Sequence, residues 1–172
     1  MFLKRFREKS NQKYINNILN SVSRVVHQRK ADSVGVILNF DEFNDYDKFR
    51  QLLKNIGIKD NKVKFISFIL DDKTKPNSWD SFFCPKDFGW KGKIDNVDLV
   101  EFINSPFDIL ISYYNNECLE LNMATAMSKA NFKIGINNND PRLYDLIINI
   151  ETKHLNVFQN EIVKYLKVLN KI

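Results

Sequence analysis

The residues best suited to chemistry stand in two short runs: Asn39, Phe40, Asp41 and Glu42, then Tyr113, Tyr114, Asn115, Asn116 and Glu117. Together they offer carboxylates, amides and phenols with no basic group among them. Asp41 or Glu117 could act as acid, base or hydroxyl acceptor toward a polar small molecule, with Tyr114, Asn115 and Asn116 as hydrogen-bonding contacts. A third run, Asn137, Asn138, Asn139 and Asp140, could add Asn137 to the same place. The same residue types are what loops and first helical turns ordinarily contain. Location, not composition, is what raises these residues above background.

Other chemistries find less support. Phosphate cradles need a glycine-rich turn after a strand, but no glycine falls between Asn39 and Lys48 or between Tyr113 and Lys129. Acids at both turns would also repel a pyrophosphate, so a dinucleotide or ATP fold is disfavoured and no cofactor is expected. His27 and His154 are not placed by sequence beside a serine or cysteine that either could activate. Cys84 and Cys118 match no metal spacing and read as unpaired thiols in a reducing compartment. Cys118 stands just ahead of an expected helix, where a thiolate could be stabilised, although a structural thiol is the plainer reading. No catalytic residue and no metal site is assigned.

The elements that must position these runs follow from hydrophobic periodicity. Ile15, Ile18, Leu19, Val22, Val25 and Val26 recur in steps of three and four, one face of a helix from Tyr14 that should stop near residues 30–32, and residues 1–9 could extend it as a basic amphipathic turn. Residues 33–39 form a continuous apolar, β-branched run, the pattern of a strand buried on both faces. Phe49, Leu52, Leu53 and Ile56 mark a helix closed at Gly57, and residues 63–70 the next strand. Further strands are expected at 107–113, 132–136 and 146–150. Short helices are expected over 97–104 and 119–130, with a last helix capped by Asn156. This alternation predicts an α/β fold, a single open, mostly parallel five-stranded sheet with helices on both faces, flavodoxin- or Rossmann-like. The preferred strand order is 2-1-3-4-5, which sets the two polar runs side by side at the point where strand order reverses.

The chain of 172 residues fits one domain, read as a basic arm over 1–12 and an α/β body over 13–172. Net charge is +5, but residues 1–30 hold eight bases against Glu8 alone, so the basicity belongs to the N-terminal part. Lys4, Arg5, Arg7 and Lys9, interleaved with Phe2, Leu3 and Phe6, suit an anionic partner: a lipid surface, RNA or an acidic protein. Residues 71–96 are too long for an ordinary connector and carry Trp79, Phe82, Phe83, Phe88 and Trp90. They either pack over a sheet edge or offer a patch to a protein partner. No apolar run is long enough to span a bilayer, and no secretory signal opens the chain, so the expected compartment is the cytoplasm.

Three stretches carry a resemblance: Trp79 to Phe83 with Pro85 to Gly92, then Phe107 to Tyr114, then Asn122 to Gly135. In these the chain resembles an uncharacterised bacterial family of small single-domain α/β proteins, over nearly its full length. The resemblance implies the fold and no particular activity. A shorter likeness, in Phe107 to Tyr113 with Glu120, is to the opening strand and acidic helix of Toll/interleukin-receptor domains, some of which cleave NAD; here that strand lies mid-chain. Two function classes follow. One is a binding or adaptor domain using the arm. The other is a small enzyme or ligand sensor at the strand-end loops.

Overall fold

A computed structural model of the chain describes residues 2–21, 25–76, 80–136 and 140–172. The order of elements is α1 (Phe2–Ser21), β1 (Val34–Asn39), α2 (Tyr46–Asn55), β2 (Val63–Phe68), β3 (Phe82–Phe83), α3 (Val97–Asn104), β4 (Ile109–Tyr113), α4 (Leu119–Met127), β5 (Phe132–Ile136), β6 (Leu146–Ile148) and α5 (Leu155–Val168). The strands form one sheet in the order β3-β2-β1-β4-β5-β6, and every pairing is parallel. The five strands expected from sequence keep their expected order. The sixth is β3, two residues drawn from the aromatic segment and laid on β2 at the edge.

The inner strands are buried on both faces, which is why they read as unbroken apolar runs. One face carries Ile37, Ile66 and Leu110 against Ile15 of α1, Leu99 and Phe102 of α3 and Leu121 of α4. The other carries Val36, Leu38, Ile111 and Ile134 against Phe49 and Leu53 of α2 and Phe158 and Ile162 of α5. Tyr113 stands edge-on between Phe49 and Phe158, at centroid distances of 5.1 and 5.0 Å. Gly35 is required where α3 crosses the sheet, because a Cβ there would come within 2.6 Å of the Phe107 ring.

Helix ends follow local chemistry. Asp45 caps α2 by accepting the Lys48 N–H, and Asn96 caps α3 by accepting that of Leu99. After α2, Gly57 adopts φ +92°; the Ile58 N–H bonds the Leu53 carbonyl and the Gly57 N–H that of Lys54, a Schellman ending. The first helix departs from expectation at its C-terminal end. It is already formed at Phe2 and runs without a break to Ser21. Residues 25–33 instead form neither helix nor strand and pass beneath the amino ends of the strands. His27 exchanges two hydrogen bonds with the Asn131 side chain, Ala31 donates to the Lys171 carbonyl, and Asp32 and Ser33 donate to Asp108. A longer helix would forgo these bonds, and Val26 would not reach the opposite face of the sheet, where it packs. Val22 lies outside the described residues. At the C-terminal end, α5 starts at Leu155 behind His154, two residues ahead of the expected Asn156 cap.

Candidate functional site

Strand order reverses between β1 and β4, so the loops after them meet at the carboxyl end of the sheet. Their meeting is organised by Glu42. Its carboxylate accepts the backbone N–H of Asn115 at 2.7 Å, that of Asn116 at 2.8 Å and the Asn39 amide at 2.9 Å. Asn115 continues the network on its far side, donating to the Ile150 carbonyl and accepting the Thr152 N–H at 2.7 Å. The Tyr113 hydroxyl donates to the Thr152 carbonyl at 2.8 Å. Three loops are thereby tied together by hydrogen bonds within the chain.

The predicted contacts divide around this network. Asp41 and Asn116 are exposed on its rim, and Asn115 is half-buried within it. Tyr114 turns to the other face of the sheet, where it is buried and its hydroxyl meets the Thr125 and Tyr144 hydroxyls, each at 3.1 Å. Burial pushes its phenol well above the ordinary value. Glu117 accepts from the Asn122 amide at 3.2 Å, beside α4. Asn137 lies outside the described residues. Cys118 precedes α4, but burial pushes its thiol up to about 12, so it stays protonated at neutral pH.

The basic arm is the first half of α1. Asn11, 3% exposed, anchors the helix to the segment that follows β3: its amide donates to the Gly89 carbonyl and its oxygen accepts the Gly92 N–H. Farther along, the Arg142 guanidinium donates to the side chains of Asn16 and Asn20. Ahead of these anchors Lys4, Arg5 and Lys9 are exposed and Arg7 is half-buried, with Lys4 3.9 Å from Glu8. Leu3 and Phe6 stand 77% and 54% exposed among them. In the aromatic segment, Phe82, Phe83 and Phe88 are buried, Trp90 is half-exposed, and Trp79 lies outside the described residues.

A feature with no signal in the sequence lies at the opposite, amino end of the sheet. A cavity of about 760 Å³ opens between α1, α3, the end of α4 and the segment after α1. Its walls draw on residues from Tyr14 to Leu143, and every charged residue among them is basic: Arg29, Lys129, Lys133 and Arg142. Lys133, 2% exposed, donates to the Thr125 and Ala126 carbonyls in the last turn of α4.

Among the described residues, no helix is long and apolar enough to cross a membrane. Neither a curated protein nor a solved structure matches the chain. A family model matches residues 7–169, which hold the whole sheet, helices α2 to α5 and α1 from Arg7 onward, and the chain therefore belongs to the family of unknown function DUF6913.

Proposed function

We propose that the chain is a binding domain that docks on an anionic lipid surface through the first turns of α1. The exposure of Leu3 and Phe6 beside four cations, on a helix anchored elsewhere, carries this reading. At about 100° per residue, Leu3 and Phe6 lie about 60° apart on the helix, with Arg7 on one flank and Lys9 on the other. That arc points away from Asn11 and Ile15, the residues that hold the helix to the body. Apolar side chains flanked by bases match the layering of a bilayer surface, with acyl chains below charged headgroups. RNA or an acidic protein would engage the bases but has less use for an exposed leucine.

Each base near an anionic membrane contributes about 1 kcal/mol, so the four together account for up to about a thousand-fold in affinity at low salt. The test is co-sedimentation with vesicles of phosphatidylcholine and phosphatidylserine, against phosphatidylcholine alone. The parent should bind only the anionic vesicles, and less as salt rises. Changing Lys4, Arg5, Arg7 and Lys9 together to Gln should abolish binding while leaving the melting temperature nearly unchanged, because three of the four charges are exposed, where each contributes about 0–1 kcal/mol to stability, and Gln keeps most of the apolar stem of half-buried Arg7. Equal vesicle binding by parent and variant would overturn the reading. So would salt-sensitive binding to single-stranded RNA or polyglutamate without binding to vesicles.

A further inference from the structure

The cavity at the amino end of the sheet combines an apolar interior with a basic rim, and the α1 arm takes no part in it. Its volume of about 760 Å³ is within the range that encloses a drug-sized molecule. Ile18, Leu19, Ile103 and Met127 give it an apolar wall, while Arg29 and Lys129 add charge from the segment after α1 and the loop after α4. No aspartate or glutamate is among the lining residues.

Not every base there is available to a ligand. Helices α1, α3 and α4 all end at this side of the molecule, and their terminal carbonyls attract cations. Lys133 serves that purpose directly. Arg142 is held by Asp140 at 2.7 Å, as well as by the two α1 asparagines. Arg29 differs: its Nε lies 2.6 Å from Asp108 Oδ1, a contact that engages one edge of the guanidinium and leaves further N–H donors. Lys129 is exposed and forms no ion pair among the described residues. Two cations beside an apolar wall favour a ligand with an apolar body and a single negative head.

We infer that this cavity binds a small amphipathic carboxylate, its head against Lys129 and Arg29 and its apolar body along Ile18, Leu19, Ile103 and Met127. Neither a neutral molecule of the same shape nor a bare anion would use both parts of the site.

Calorimetric titration with decanoate, decanol and acetate, each as a monomer in solution, separates these parts. Decanoate should bind, decanol about ten-fold more weakly, and acetate not measurably. Lys129→Glu places an acid at the rim of an exposed position and should weaken decanoate at least about ten-fold, with decanol unchanged and the melting temperature preserved. Met127→Trp should block both ligands by filling the cavity. The variant with Gln at positions 4, 5, 7 and 9 should bind decanoate as the parent does, so failure of the arm reading leaves this result standing. Absence of decanoate binding, equal binding of decanol, or indifference to Lys129→Glu would each overturn the inference. If Met127→Trp unfolds the domain, the Lys129→Glu comparison decides alone.

Discussion

The Glu42 carboxylate lies 2.7 Å from the Asn115 backbone nitrogen, and this bond joins the loop after β1 to the loop after β4. Its other oxygen accepts from Asn116 and from Asn39. One acidic side chain thus satisfies two main-chain donors of the neighbouring loop at the point where a parallel sheet divides. In many open α/β sheets that division leaves a crevice for a ligand. Here the chain's own carboxylate spans it.

Glu42→Gln should therefore destabilise the domain, although the side chains have the same shape. An amide offers one accepting oxygen where the carboxylate offers two, so an N–H group of Asn115 or Asn116 would face an NH2. Hydrogen bonds to a charged group, once removed from a partly buried donor, cost about 1–3 kcal/mol. Urea denaturation should show a loss of that size with an unchanged slope. A change below about 0.5 kcal/mol would mean that the bonds from Asn115 to Ile150 and Thr152 hold the loops unaided.

How far the sequence discloses this arrangement varies by element. The inner strands are legible because burial on both faces leaves an apolar run, as at residues 33–39 and 107–113. β3 is not, because two residues carry no period. Asn115 could be placed at the switch point from its position after a strand. Nothing in the run Asn39, Phe40, Asp41 and Glu42 marks which acid turns back toward the neighbouring loop. That choice is made by the turn in which the Glu42 and Phe43 N–H groups both bond the Asn39 carbonyl. Lys133 sits within an apolar strand and would be read as a break in its pattern; its ammonium is accommodated only because α4 ends above it. The cavity at the amino end is assembled from side chains on three helices, a strand and the segments between them, and contiguous sequence cannot show it.

Asp108 links acid stability to the segment after α1. Burial pushes its carboxyl up, but the N–H groups of Asp32 and Ser33, the Ser33 hydroxyl and Arg29 outweigh that effect and hold it below the usual carboxylate range. A depressed folded value means that the unfolded chain binds its proton first. The contribution is therefore complete above the unfolded value near 4 and is lost as pH falls through the lower, folded one. Denaturation midpoints measured between about pH 5 and pH 2 should fall, and Asp108→Asn should flatten part of that fall while lowering stability at pH 7. If the pH dependence is the same in the variant, the anchoring of residues 32 and 33 does not depend on the charge of Asp108.

Two glycines with positive φ separate backbone strain from crowding. Gly57 has φ +92° and an added Cβ would meet nothing within 4 Å. Gly57→Ala should therefore cost only the left-handed penalty of about 1–2 kcal/mol. Gly92 has φ +77°, and a Cβ there would lie 2.1 Å from Tyr14 Cε1, far inside any contact distance. Its N–H also bonds Asn11 Oδ1 at 3.0 Å, so relief of the clash must move either the segment after β3 or α1. Gly92→Ala should carry the same backbone penalty plus about 1–3 kcal/mol for forced repacking. It should also raise amide exchange along residues 2–21 relative to the parent, because Tyr14 and Asn11 hold that helix down. Shortening the obstructing side chain in the double variant Gly92→Ala with Tyr14→Ala should recover part of the loss attributed to crowding, which a double-mutant cycle measures as coupling. Equal costs for the two single alanine substitutions, with no coupling to Tyr14, would show that the segment yields freely and that α1 is held by Ile15 and the Arg142 bonds instead.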